Sequence, residues 1–429
     1  MIMFKALKSK NFKLFFYGQS ISVIGTWMQK TAVSWMVYSI TGSVFLLGLA
    51  TFLSMIPSLF LAPLAGSIIG RYDRHKTMIR LQYMAMAQAG ALALLIYFKI
   101  YNINLILALS LIQGIINAFD MTCRQTMMID IVDDKEDLAN AVALNSTLNN
   151  FARIAGPALA GIILHEYGED VCFIGNFLSY VPVLISLLLM KIPPHIKAEN
   201  KLNMIDDLVE GLGYVKKETE MARMLLMLTC SSLFVISFNT LMPVFAKDIF
   251  NGNAETFSWF ESAAGIGSVL SAIYLANLKS AENMNKLMIG ASLLLGFSVI
   301  ILAVSSNLTI ALICMTLSGI GMMGQTSSIN IYIQTHSSVD MRSRSISYYM
   351  MAYQGMIPVG SLIIGYVSHF LGVRATVAIQ GVISILSVFV YIYYKKHKTS
   401  EELGTFPANY KSSKFQFWIG KFLLKNSKF

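Results

Sequence analysis

Twelve apolar segments, each close to the length that crosses a lipid bilayer as a helix, recur along this chain and leave few folds open to it. A bilayer core takes about 20 apolar residues per helix. The segments lie near residues 15–37, 44–69, 77–98, 104–127, 139–164, 171–191, 222–246, 255–277, 286–305, 307–331, 346–368 and 373–394. None shows the alternation that an outer-membrane barrel strand needs. A water-facing alternative would need charge, and only 13% of the 429 residues are charged while 55% are hydrophobic. Soluble domains carry about 25% charged residues, which excludes a cytosolic enzyme, an extracellular disulfide module and a disordered chain. Cys123, Cys172, Cys230 and Cys314 sit far apart in apolar stretches, without metal-ligand spacing, and read as packing residues. No metal and no cofactor is expected.

Basic residues set the orientation. With a cytoplasmic N-terminus, only Lys99, Lys247 and Arg374 fall outside and Lys30 and Arg153 fall within spans, which leaves the other 28 of 33 on the inner side. Both termini are therefore expected in the cytoplasm, in a multi-pass protein of the cell inner (plasma) membrane. The net charge of +10 is this bias summed and asks for no nucleic acid. Met1–Asn11 carries lysines but no small-residue cleavage site, so the first span is expected to do the targeting.

The chain divides in the middle. Residues 1–192 read as a first six-helix half, 193–223 as a central cytoplasmic loop, 224–395 as a second half and 396–429 as a basic cytoplasmic tail. Within the loop, Met204–Glu218 has the pattern of an amphipathic surface helix. The end of the tail, Phe415–Phe429, mixes aromatic residues with lysines and is expected on the inner leaflet. An internal repeat supports the division. Gly156, Gly161, His165 and Gly168 reappear 204 residues on as Gly360, Gly365, His369 and Gly372.

A charge at the bilayer centre costs at least about 2.5–3.5 kcal/mol, so each intramembrane charge is a functional candidate. Arg153 lies near the middle of the fifth span. Asp120 lies nearer the inner end of the fourth, Glu261 near the outer end of the eighth and Lys30 in the outer third of the first. At about 100° per residue, Ser110, Gln113, Asn117, Asp120 and Arg124 share an arc of roughly 80°, and so do Asn145, Asn149, Arg153, Gly156 and Ala160. Gln19, Ser22, Thr26 and Gln29 form a third stripe. These stripes face either a water-filled cavity or neighbouring helices through hydrogen bonds. Gln29, Gln113, Asn117, Asn145 and Asn149 are the cavity candidates, with Asn239 and Gln325 from the second half, where Glu261 is the charge read as lying inside a span.

Two further motifs concern movement. Gly66-Ser-Ile-Ile-Gly70-Arg71-Tyr72-Asp73-Arg74 joins the second and third spans by a short charged loop suited to docking on neighbouring helix ends. Gly156-Pro157-Ala158-Leu159-Ala160-Gly161 offers close helix approach and a freed carbonyl, a bending point.

Several stretches together resemble one family: Gly25-Thr-Trp-Met-Gln-Lys30, Pro63-Leu-Ala-Gly66 with Asp73-Arg74, Asn117-Ala-Phe-Asp120 with Arg124-Gln125, Asn140 to Asn145 running into Ala152 to Pro157, and Tyr349 to Ala352 leading to Pro358-Val-Gly-Ser361. The chain is similar, over roughly residues 10–395, to transporters of the major facilitator superfamily, and within it to the branch of enterobactin-type siderophore exporters and macrolide efflux proteins. The resemblance implies an all-α polytopic fold of twelve transmembrane helices in two six-helix pseudo-symmetric halves. It also implies export of a siderophore or drug-like compound by proton antiport and alternating access, about a central site between the first, fourth, seventh and tenth spans. The sequence departs from the family at Gly70, where an acidic residue is usual, at Ser110, where drug exporters often place arginine, and at Ala152 and Ala160, which replace glycines. Proton coupling must then rest on Asp120, Arg153, Arg124, Lys30 and Glu261. Asp120 is expected to titrate, with Arg124 one turn on or Arg153 on the next helix as counter-ion. The expected partners are a small-molecule substrate, protons and membrane lipids. The working unit is read as a monomer, with or without a periplasmic or outer-membrane efflux partner. An importer or lipid flippase on the same fold, or a non-transporting receptor, stays open, while no Walker-type loop offers ATP a place.

Overall fold

The computed structural model describes residues 5–69, 72–192, 204–278, 283–338 and 341–402. Gly70 and the expected membrane-lying end of the tail fall outside them. Packing groups the chain into Met1–Val388 and Phe389–Phe429, a division that falls within the last helix. In the second unit the described turns carry Tyr393 edge-on to Tyr394 and the Lys395 ammonium 5.9 Å above the Tyr391 ring.

Helices overlap every apolar segment. They are α1 (Lys10–Thr41), α2 (Val44–Ile69), α3 (Arg74–Tyr97), α4 (Ile103–Ile131), α5 (Leu138–Glu166), α6 (Glu169–Leu189), α7 (Met204–Lys217), α8 (Thr219–Phe234), α9 (Met242–Val244), α10 (Ala254–Ala276), α11 (Met284–Val304), α12 (Leu308–His336), α13 (Arg342–Met350), α14 (Met356–Leu371) and α15 (Val373–Glu402). The central-loop helix forms where its amphipathic pattern places it, as α7. Among the described residues ten helical stretches are long and apolar enough to cross a membrane. The segments in α1 and α5 are not among the ten, because these helices carry the glutamine, asparagine, lysine and arginine residues of two polar stripes.

Local chemistry fixes the helix ends. Asn102, Asn253 and Asn307 cap α4, α10 and α12 by accepting from the backbone N–H groups two and three residues on, which satisfies donors the helix leaves unpaired. Gly42 closes α1 in the left-handed conformation (φ 59°), its N–H returning to the Tyr38 carbonyl. Asp73 was expected in a conformational lock. It instead caps α3, its carboxylate accepting from the Lys76 N–H at 3.0 Å, while Arg74 makes the interhelical ion pair, to Asp130 of α4 at 3.0 Å. Gly66 lies in the last turn of α2.

Two apolar stretches are broken where a single helix was expected. After α8 the chain runs as a 3-10 stretch (Ile236–Leu241), then α9, then a π turn (Phe245–Ile249); between α13 and α14 it makes a π turn (Met351–Gly355). Such segments free carbonyls from the i to i−4 ladder and recur at functional sites.

Candidate functional site

Close helix approach builds the site. Gly156 of α5 lies against α1 so tightly that a β-carbon there would stand 3.1 Å from both the Ile24 carbonyl oxygen and the Met28 nitrogen. Gly265 of α10 meets α5 in the same way, 2.7 Å from Ile154 Cγ1, and the Ser262 hydroxyl donates to the Ile154 carbonyl at 3.4 Å. Glu261 stands one turn before Gly265, on the α10 face turned to α5. These contacts gather Trp27 and Lys30 of α1, Arg153 of α5 and Glu261 of α10. The Lys30 ammonium lies 4.8 Å and the Arg153 guanidinium carbon 6.0 Å from the Trp27 ring centroid. Lys30 and Glu261 each lie in the electrostatic field of the other and of Arg153. Lys30 keeps an exposed side chain although it sits well inside α1, and Trp27, Arg153 and Glu261 are half-buried.

Asp120 belongs to a second cluster. Its carboxylate accepts from Arg124 on the same helix and from Gln82 of α3 at 2.6 Å, and Gln19 of α1, with its carbonyl oxygen turned to Arg124, accepts from that guanidinium at 3.0 Å. Of the two expected counter-ions Arg124 takes the place, while Arg153 lies against Trp27 instead. Gln82 was missed by the sequence reading; a single glutamine in an apolar helix carries no signal of which carboxylate it will meet.

The polar stripes divide. Gln113 donates to Asn117 at 2.9 Å on the accessible face of α4, and Asn145 and Asn149 are half-buried on α5, with Asn149 donating to the Asn145 carbonyl. Gln29 and Gln325 correct the expected cavity set. Gln29, 5% exposed, donates to Gln88 at 3.3 Å and accepts from Asn176 at 2.7 Å, a hydrogen-bond chain joining α1, α3 and α6. Gln325 is fully buried and accepts from Ser231 at 2.8 Å. Both lie between helices, with the Gln325 Nε2 buried and unpartnered among the described residues. Asn239 is half-buried in the 3-10 stretch after α8, beside Thr240, whose hydroxyl lies 2.9 Å from that of Ser361. Pro157 is buried within α5 next to Gly156. The intramembrane charges thus gather in two places, one at α1, α5 and α10 and the other at α1, α3 and α4.

One end of the bundle is sealed by contacts that the sequence reading did not foresee. Tyr38 donates to Asp248, the Lys247 ammonium donates to the Ser39 carbonyl at 3.1 Å and lies 5.7 Å above the Tyr38 ring, and Trp35 stacks on Phe257 at 6.4 Å. Asn253 bonds His165 at 3.1 Å.

Known proteins share this chain's sequence and fold. The profile of the family described as a transmembrane secretion effector matches residues 2–417. The staphyloferrin A transporter of Staphylococcus aureus is 28% identical over 398 residues, 91% of this chain and 98% of that one. Macrolide efflux protein A of Streptococcus pyogenes is 21% identical over 391 residues, 89% and 96% of the two chains. The crystal structure of the nucleoside transporter NupG superposes with a TM-score of 0.71 at 13% identity, covering 90% of this chain and 99% of that one, which establishes the fold. With charged side chains set within long apolar helices, and relatives that are transporters and not enzymes, the chain belongs to the transmembrane secretion effector family of major facilitator transporters.

Proposed function

We propose that the protein exports a small organic molecule of the siderophore or drug-like class across the bacterial inner membrane by alternating access, exchanging it for protons. The observation that carries the reading is the Trp27, Lys30, Arg153 and Glu261 cluster. Charged groups that would be costly within a bilayer meet there from three helices, on accessible surface. The names of the efflux and siderophore-transporting relatives support export.

The repeat supports a layout of twelve spans in two halves, 1–192 and 224–395, with 193–223 as a cytoplasmic connector and both termini inside. Gly156 packs on α1 and its counterpart Gly360 on Leu233 at the end of α8; Gly161 packs on α10 and its counterpart Gly365 on α2. Equivalent glycines thus meet equivalent neighbours, as two parallel repeats require. On that layout the Tyr38–Asp248 end is external, and its closure supports an inward-facing state.

Asp120 is the proposed proton site. Protonation would release Arg124 and Gln82 and loosen the tie between α1, α3 and α4. The test uses inside-out vesicles with an acid interior and a pH-quenched dye, challenged with a carboxylate siderophore, a catecholate siderophore, a macrolide and a lipophilic cation. Substrate-dependent proton release that disappears in Asp120→Asn is the expected result. Unchanged proton-dependent efflux in that variant would sink the assignment, and silence toward all four substrates from folded protein would count against antiport.

A further inference from the structure

We propose that Trp27, Lys30, Arg153 and Glu261 form a subsite for a carboxylate group of the transported molecule, which makes the substrate an organic acid and not a neutral or cationic drug. The inference rests on the transport reading above and deepens it.

Charge is the first argument. The charges acting on Lys30 are Glu261 and Arg153, and those acting on Glu261 are Lys30 and Arg153, so the set is two cations against one anion. Among the described residues neither cation lies within the 4.0 Å of an ion pair with Glu261. Among the described residues, then, no direct contact quenches the excess positive charge. In the second cluster, by contrast, cation and anion are in direct contact: Asp120 is bound by Arg124 and Gln82, and Arg124 by Gln19.

Geometry is the second. Lys30 and Arg153 approach one Trp27 ring at 4.8 and 6.0 Å from helices α1 and α5. Cation–π attraction holds like charges beside each other that would otherwise separate. An anion placed between them neutralises both at once. Arginine offers a planar fork that matches a carboxylate bidentately, and lysine a compact charge on a flexible stem. The exposed Lys30 side chain leaves its ammonium open to a ligand.

Glu261 completes the device. It competes with an incoming carboxylate for the same two cations, so the empty site is not left with two bare charges. A cationic substrate would be drawn to Glu261 but repelled by two groups, and a neutral one would gain nothing from any of the three.

The test is equilibrium binding to full-length protein in lipid nanodiscs. The probes are the hexylamine monoamide of citrate, which keeps two free carboxylates, its dimethyl ester and the cationic macrolide erythromycin. A charge-assisted hydrogen bond is worth about 1.5–3 kcal/mol, so the acid is expected to bind at least about tenfold more tightly than its ester. Lys30→Gln and Arg153→Gln should each weaken the acid by a similar factor and leave the ester unchanged. Lys30→Arg should retain binding and Arg153→Lys should lose less of it than Arg153→Gln, which separates lost charge from lost fold. Glu261→Gln should tighten it. Equal binding of acid and ester, no binding of the acid, or erythromycin binding weakened by Glu261→Gln would overturn the assignment. Efflux of the acid from loaded proteoliposomes is read separately. Selective binding without efflux removes the export reading and leaves the subsite; efflux of the acid untouched by Lys30→Gln and Arg153→Gln removes the subsite and leaves export.

Discussion

Gly48 of α2 faces Gly365 of α14 so closely that a β-carbon on Gly48 would stand 3.2 Å from the Gly365 Cα and 2.5 Å from the Ser361 carbonyl oxygen. Both obstacles are backbone, which cannot turn aside as a side chain can. Across the bundle, Gly161 of α5 meets the side chain of Ser258 on α10, a β-carbon there standing 2.5 Å from Ser258 Cβ. The two contacts bring the helices together near the end sealed by Tyr38 and Asp248. Replacing Gly48 by Ala should therefore prise α2 from α14 and open that end. Ser361 is fully buried, so a Ser361→Cys reporter should react slowly with a water-soluble maleimide, and at least about tenfold faster in the Gly48→Ala background if the opening costs about 1.4 kcal/mol less there. Equal rates in the two backgrounds would show that the glycine contact does not hold this end closed.

Tyr38 gives a gentler handle on the same equilibrium. Its hydroxyl donates to the Asp248 carboxylate, and a hydrogen bond to a charged group contributes about 1.5–3 kcal/mol. Tyr38→Phe removes it while keeping the ring under Lys247. The ratio of open to sealed protein should rise roughly tenfold or more. Double electron–electron resonance between spin labels at Tyr101 and Val304, both exposed, should then show a longer distance component that is minor in the parent protein. An unaltered distance distribution would assign the bond to local packing alone.

What could be read in the sequence follows the cost of each feature. Lys30, Arg153 and Glu261 announced themselves because a charge within a bilayer is expensive wherever it sits. Their meeting was not legible, because it depends on Gly156 and Gly265 letting three distant helices touch. Arg124 was legible as the partner of Asp120, since residues four apart share a helix face. Gln29 was misplaced for a related reason: a polar stripe points equally well at water or at another helix, and Gln88 and Asn176 decided it. Asp73 looked like a docking charge, yet its place just before a helix is also that of a cap. The 3-10 and π breaks around Asn239 and Tyr353 had no apolar signature, because broken and continuous helices bury the same residues.

The loop between α2 and α3 supports a prediction that separates its two charges. Asp73 satisfies one backbone donor, and losing such a cap costs about 1 kcal/mol locally. Arg74 ties α3 to α4 through Asp130 at 3.0 Å and through the Thr126 carbonyl at 3.2 Å. Hydrogen exchange in the first turn of α3 should quicken about fivefold in Asp73→Ala. In Arg74→Gln it should quicken through the first turn of α3 and also around Thr126–Asp130 of α4. If the Asp73 variant loosened α4 as well, the loop carboxylate would have an interhelical role after all.

The N-terminal segment supplies a pH dependence with a definite sign. Lys5 pairs with Asp137 at 2.9 Å, and the neighbouring Ala6 N–H donates to Asn140 at 3.0 Å, tying the start of the chain to the α4–α5 turn. The hydrogen bond and charge of Asp137 raise the Lys5 ammonium above its ordinary value of 10.5. A group whose pKa is raised by its folded partner contributes fully below its ordinary value and loses that contribution as pH rises through the raised one. The tie should therefore be constant across neutral pH and loosen in alkali above 10.5. A spin label at the exposed Lys8 should stay immobilised throughout the neutral range and gain motion as pH rises past that value. Asp137→Asn should leave it mobile at every pH. Loosening near neutrality would mean that a group of much lower pKa than Lys5 holds this segment in place.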